Sequence, residues 1–429
     1  MRGGGPPELI RPGLERIRTA LELTGSPERA FRTVHVAGTN GKGSVSCFAE
    51  AILGRLLPRP VGLYTSPHLV SPEERIRVAG VKIGARDLRR QLSRASAVSR
   101  AVESRVGDPL SWFEEMTWAA FDWFRKKSVA LAVVETGLGG RWDATSASLP
   151  DVSVVTNVEI DHREWLGGTL TAIAREKSGI FREGIPVVFG RLRPAARKIL
   201  AGAAGAMRCP AWELGRDFGW DVHSPGRIAI RLPEFSIGRV RIGMAGEFQK
   251  DNAAVACAAS WRAAEKRGVA AGAFRTAARD ALADARWPGR FSPLPGRGNS
   301  RAWADGAHNP AAARTLAAEL GRLRSSGAFP RVVALWSMLE DKDIRGFVRA
   351  LSGIVDGWVV YGLSHERAAS PGRLSAACRS EGAPFREARD FPDGWESARR
   401  WAGKGGIVLV CGSLMAVGDA FRHRVGIVP

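Results

Sequence analysis

Apolar residues in this chain recur at two spacings, and the alternation between them predicts most of its elements. Val34, Val36 and Ala37 suit a short buried strand; Val45, Phe48, Ala49, Ile52, Leu53 and Leu56 then recur at helical spacing. A helix over 7–24 precedes them, with Leu9, Ile10, Leu14, Ile17, Leu21 and Leu23 on its apolar face. An apolar strand opens the stretch 61–80, and further buried strands follow at 129–134, 152–158 and 185–189. Between them, residues 111–125 form a helix too aromatic to face water, with Phe113, Met116, Trp118, Phe121 and Phe124 expected in the core. Strand and helix alternating through residue 190 predict an α/β fold with a doubly wound, mostly parallel sheet.

Residues 205–243 change character. Short alternating runs such as RIAIRL and RVRIG between Pro and Gly predict a small antiparallel flap. The Ala-rich stretch 245–285 reads as helical, and 287–300, with three prolines and three glycines, reads as the interdomain connection and hinge. Beyond it Asn309 is a helix N-cap with Pro310 at the first helical position. Strands at 331–336, 357–361 and 406–411 then predict a second, smaller, Rossmann-like α/β domain. The expected division is 1–290 and 291–429.

Length agrees, since 429 residues exceed one ordinary core. With 45% hydrophobic and 25% charged residues the composition is globular. No apolar run is long enough for a membrane span, and the opening MRGGGPPELIRPG has no apolar core like that of a signal peptide. Five scattered cysteines without metal or redox spacing suit a reducing compartment, so a cytoplasmic protein is expected. The net charge of +20 comes mostly from Arg scattered among Ala and Gly, without a basic arm or aromatic-studded basic strand. It argues for encounter with small anions such as ATP or a polycarboxylate rather than for nucleic acid.

The candidate chemistry gathers at strand ends. Gly38, Thr39, Asn40, Gly41, Lys42, Gly43 and Ser44 lie between the first strand and its helix, where first-turn amides are partly positive and Lys42 adds a charge able to reach outer phosphates. The turn departs from the general P-loop pattern: Val36 stands at its first Gly and Gly43 at its Ser or Thr. A magnesium ion would therefore take its hydroxyl ligand elsewhere, and Ser66, at the end of the second strand, is the candidate, against the reading of a plain turn. Glu135 ends another buried strand beside a second glycine turn at Gly137, Gly139 and Gly140, and is a natural divalent-cation ligand. His162 follows the next strand, and its clustering with these residues sets it against the purely structural reading of a lone histidine. Gln249 and Asn252 form a neutral amide pair able to read an adenine edge.

Taken in order, HVAGTNGKGS (35–44), YTSPHL (64–69), ETGLGGRWDATS (135–146), DH (161–162), REKSGIF (175–181), WPGRF (287–291), DGAHNP (305–310), EDKD (340–343) and CGS (411–413) resemble the folylpolyglutamate synthase and dihydrofolate synthase family of the Mur-type ligases. The resemblance runs nearly the length of the chain. It implies an ATP-dependent ligase that joins L-glutamate to dihydropteroate, to reduced folates, or to both, through an acyl phosphate. By the same resemblance Lys42 and the loop glycines hold the phosphates; Ser66, Glu135 and His162 bind magnesium; and Gln249 and Asn252 contact adenine. Arg290 from the hinge, with Asp305 and His308 from the second domain, would reach the nucleotide on closure. Lys177 would be carbamylated and serve a second magnesium, the other reading being an ordinary surface lysine. A monomer acting on small molecules is expected.

Trp142, where an aliphatic residue is usual, Ser146, where Asn is common, and Arg163 and Glu164 depart from the family pattern. A monofunctional folylpolyglutamate synthase and another Mur-type amino-acid ligase are the alternatives within enzymes; TSPHL and REKSGIF count against a cell-wall ligase. A P-loop switch is the rival of another class, but needs no second domain bearing DGAHNP.

Overall fold

A computed structural model describes residues 13–294 and 301–423. These divide into two compact units. One comprises the described residues through His68, Pro72–Gly243 and Gln249–Arg286; the other comprises Leu69–Ser71, Met244–Phe248 and the described residues from Trp287 onward.

The first unit is built on an eight-stranded sheet. Its strands are β1 (Arg32–Ala37), β2 (Val61–Tyr64), β3 (Ile76–Val78), β4 (Val81–Lys82), β5 (Leu131–Glu135), β6 (Pro150–Val155), β7 (Val187–Phe189) and β8 (Ala211–Glu213). They lie in the order β4-β3-β2-β5-β1-β6-β7-β8. From β2 through β8 in that order neighbours are parallel, so the carboxyl ends of β2, β5, β1 and β6 share one edge. β3 and β4 extend the other side antiparallel.

Burial on both faces runs along β1, β5 and β6; β5 is apolar as far as Glu135, while β1 carries Thr33 and His35 and β6 carries Asp151 and Ser153 among their apolar residues. The helix Trp112–Lys126 packs Met116, Trp118, Phe121 and Phe124 wholly inside, where Phe31 meets Phe121 and Phe124 edge to face at 5.6 and 5.5 Å. Each such side chain contributes roughly 2–3 kcal/mol by burial. Of the expected helix over 7–24, residues 7–12 lie outside the described residues and the helix is Glu15–Leu23. A long helix, Ala85–Val106, escaped the apolar pattern because polar side chains fill part of its buried stripe. Between Leu88, Ala95 and Val102 stand Gln91, which donates to Asp122 Oδ2 at 2.8 Å, and Ser99, which accepts from the Leu110 amide at 2.9 Å.

The flap is smaller than its expected span. Its sheet is β9 (Gly219–Ser224), β10 (Arg227–Arg231) and β11 (Ser236–Val240), whereas β8, within the same stretch, pairs with β7 and belongs to the main sheet. A three-residue edge strand has too few positions to reveal its period. The stretch 245–285 holds two helices, Phe248–Glu265 and Ala271–Asp284, parted at Gly268, whose φ of +73° breaks the helix.

The second unit carries a six-stranded sheet of β12 (Ser292–Leu294), β13 (Arg301–Ala304), β14 (Val332–Trp336), β15 (Gly357–Val360), β16 (Phe385–Glu387) and β17 (Ile407–Cys411), in the order β12-β13-β17-β14-β15-β16. All neighbours are parallel except β12 and β13. The expected connection over 287–300 is therefore not irregular throughout: it contains β12, while 295–300 lies outside the described residues. No helix among the described residues is long and apolar enough to cross a membrane.

Candidate active site

The strand order decides the site of the first unit. Parallel pairing sets Val36 of β1 level with Glu135 of β5, and Tyr64 of β2 level with Val134, so Gly38, Ser66 and Glu135 all follow or end strands at one edge.

The glycine loop after β1 is stapled to the chain leaving β6. Thr39 N donates to Asn157 O (3.1 Å), Asn40 N to Asn157 Oδ1 (2.9 Å), and Thr156 Oγ1 to Asn40 O (2.6 Å). Thr39 Oγ1 donates to Glu159 O and accepts from Glu159 N, at 3.2 and 3.1 Å. The amides of Thr39 and Asn40 thus hold the scaffold, and the first turn of the helix Lys42–Leu56, whose amides have no acceptor within the helix, is the part suited to an anion. Gly38 at φ +150° passes so close to Thr156 that a Cβ would stand 1.8 Å from its hydroxyl, and Gly41 takes the left-handed conformation that opens the helix. Lys42 Nζ folds back onto Gly38 O (3.2 Å) and Thr39 O (3.4 Å).

Lys177 is no surface lysine. It is 3% exposed, and its Nζ donates to the same Gly38 carbonyl at 2.8 Å. Burial pushes its ammonium down to about 7, the nearby charge of Lys42 adds to this, and Asp161 and Asp143 oppose it.

Glu135 is buried, and its Oε2 accepts from the amide of Ser66 at 3.3 Å. Ser66 Oγ and Thr136 Oγ1 are both buried without a hydrogen-bond partner. A buried hydroxyl is rarely left so, and orphaned oxygens beside a carboxylate are a donor set suited to a hard divalent cation. Asp161 is buried with Oδ1 accepting from the His162 amide, and His162 itself is left-handed (φ 50°) and partly exposed. Among the described residues no three His, Cys, Asp or Glu side chains form a metal cluster. The expected set has only one carboxylate and one imidazole, so its remaining oxygens would come from Ser66 and a modified Lys177.

Gln249 is fully buried and donates to Ser44 Oγ (3.3 Å), while Asn252 Nδ2 donates to Gln249 Oε1 (2.9 Å) and its Oδ1 crowds Gly41. The amide pair therefore adjoins the start of the loop helix. In the second unit Asp305 is buried and accepts from the amides of Phe291 (2.7 Å) and Ala307 (2.8 Å). Burial raises its carboxyl against the Arg290 charge, those amides and His308. His308 Nδ1 must donate to the Gly306 carbonyl at 2.8 Å, because a carbonyl only accepts. Asn309 caps the helix Pro310–Ser325 as expected.

Sequence reasoning passed over Thr156 and Asn157, which hold the loop, and Asp143, which holds the second glycine turn. Asp143 Oδ2 accepts from Leu138 N (2.8 Å) and Oδ1 from Thr145 N (3.0 Å). Their signal was present, as polar residues directly after a strand or three positions beyond a glycine pair. Of the departures, Trp142 is 52% exposed, Ser146 is buried and donates to Gly140 O (2.6 Å), and Arg163 and Glu164 lie on the exposed face of a one-turn helix.

Residues 289–414 match the family model of the Mur ligase glutamate ligase domain. A dihydrofolate synthase/folylpolyglutamate synthase of Mycobacterium tuberculosis is 34% identical over 403 residues, covering 89% of this chain and 80% of that protein. The M. tuberculosis folylpolyglutamate synthase complexed with ADP superposes with a TM-score of 0.89 at 30% identity, over 98% of this chain and 96% of that one. A bifunctional folylpolyglutamate synthase/dihydrofolate synthase with Mn, AMPPNP and L-glutamate bound gives 0.81 at 29% identity, over 97% and 95%.

Proposed function

Since this chain belongs to the dihydrofolate synthase/folylpolyglutamate synthase family, we propose that it uses ATP to join L-glutamate to dihydropteroate and, at the same site, to reduced folates. The observation that carries this reading is the meeting of Lys177 and Lys42 on Gly38 O, at the sheet edge that also holds Ser66 and Glu135.

A carboxylate is a poor electrophile. Its oxygen attacks the γ-phosphorus of ATP, the bond to the bridging oxygen breaks, and ADP leaves an acyl phosphate. The glutamate amine then adds to the acyl carbon, inorganic phosphate departs, and the amine proton is lost. Lys42 and the first-turn amides stabilise charge on the phosphoryl oxygens, with Lys42 leaving its own loop carbonyls to do so. Gln249 and Asn252 are assigned to adenine, Arg290 to the nucleotide from the hinge, and Asp305 and His308 to it from the glutamate-ligase part, taken as 291–429 with the ATP-binding part before it. The family match beginning at 289 supports that division.

Ser66, Glu135 and His162 would hold a magnesium ion, which supplies neutralisation of clustered oxyanions. Lys177 would serve a second after carbamylation, in which its neutral amine adds to CO2, an N–C bond forms and a proton is released. The depressed ammonium favours that neutral amine near pH 7.

The test is phosphate release with substrates omitted in turn. Release should require ATP, a divalent ion, glutamate and a pteroate or folate together; release from ATP alone at the full rate would favour a nucleotide switch. Dihydropteroate and tetrahydrofolate assayed separately should both turn over, and turnover of only one would leave a monofunctional ligase.

A further inference from the structure

We propose that His35, through Thr145 and Asp143, is a positioning residue that sets the second glycine turn, and with it Lys177, against the phosphate loop. The inference rests on the ligase reading above and adds a component to its metal end.

His35 lies on β1, three residues before Gly38, and is wholly buried. Its Nε2 is 2.9 Å from Thr145 Oγ1, whose own proton goes to Asp143 Oδ1, so the imidazole is the donor. Asp143 carries the link onward by accepting from Leu138 N. The turn it holds lies on the end of the helix Leu170–Ser178: Arg141 N donates to Glu176 O at 2.8 Å, and a Cβ on Gly140 would stand 2.9 and 3.0 Å from the carbonyls of Glu176 and Lys177. Lys177 Nζ closes the circuit on Gly38. Hydrogen bonds and close backbone packing thus connect Thr145 to the Lys177 backbone.

Stability does not account for the imidazole. His35 Nδ1 is buried with no hydrogen-bond partner, a cost an apolar side chain at this strand position would not bear. Burial, then the Arg182 charge, holds the ring's pKa down to about 3, so it stays neutral and acts by geometry rather than by titration. A polar residue kept at such a cost beside a site is expected where position matters more than stability.

The experiment follows Mn2+ binding by electron paramagnetic resonance in the presence of a non-hydrolysable ATP analogue, alongside thermal melting. His35→Leu should melt no lower than the parent yet bind Mn2+ about 10-fold more weakly. His35→Gln, which restores a donor at the Nε2 position, should recover most of that loss. Thr145→Val should weaken Mn2+ binding similarly, and the double variant should lose no more than either single one. If His35→Leu does not fold, Thr145→Val carries the same test. Parental Mn2+ affinity in the variant that folds, or equal losses in the Leu and Gln variants, would overturn the proposal. Failure of the ligase reading is seen separately, as absent substrate-dependent phosphate release by the parent.

Discussion

Two glycine turns leave adjacent parallel strands of the main sheet, and they do different work. The turn after β1 is held by a distant segment, Thr156 and Asn157, and opens a fifteen-residue helix whose aligned peptides favour an anion. The turn after β5 is held by its own Asp143 and ends in the single 3-10 turn Ala144–Ala147, too short for a comparable dipole. Its glycines serve packing: a Cβ on Gly137 would stand 2.6 Å from the Phe113 ring, and one on Gly140 would press on Glu176 O. Glycine content marks where a chain passes close to something. The element that follows decides whether that something is a ligand or another piece of protein.

The comparison breaks most sharply at Lys42. Lys42→Ala should lower turnover by at least 10²–10³-fold, roughly the loss on removing a single donor to developing charge. Its side chain bonds its own loop carbonyls, so the melting temperature should stay near the parent's. Turnover close to parental would remove the distinction between the turns.

Next come the glycines themselves. Gly38→Ala drives a Cβ into Thr156 and should cost about 2–3 kcal/mol together with most nucleotide affinity. Gly140→Ala should cost about 1–2 kcal/mol, retain nucleotide in calorimetry, and weaken the divalent ion. Equal losses of nucleotide affinity in both would show that the two turns share one role.

Lys177 links the turns, and its effect depends on pH. Because its folded-state pKa is depressed from 10.5 to about 7, the folded chain binds fewer protons than the unfolded one across that window, and stability rises with pH through it. In CO2-free buffer Lys177→Met should therefore exceed the parent's stability most below pH 7, by up to about 5 kcal/mol, with the gap closing towards pH 10.5. A gap that does not change with pH would mean Lys177 is paired rather than penalised. The smallest effect belongs to Trp142. Being half exposed, Trp142→Leu should alter stability by less than about 0.5 kcal/mol, and the ratio of dihydropteroate to tetrahydrofolate turnover reports whether the indole shapes the pterin end.

The sequence by itself determined what is local in this protein. The strand, turn and helix around Gly38–Ser44, the Asn309 cap and the buried strands leading to Glu135 each follow from residues within a turn or two of one another, where apolar period and backbone preference act directly. A resemblance over spaced blocks named Lys177, yet left its environment open. Only the tertiary structure decided that Lys177 is buried against Gly38, 139 positions away, that Asn157 holds Asn40 across 117, and that His35 reaches Thr145 across 110. The physical reason is the strand order. Placing β5 and β6 on either side of β1 brings three distant strand ends to one edge, and that order is set by how whole helices and sheet faces bury together, which no window of neighbouring residues contains. The polar stripe of Ala85–Val106 went unread for the same cause: Gln91 looks like surface until Asp122 is known to lie opposite.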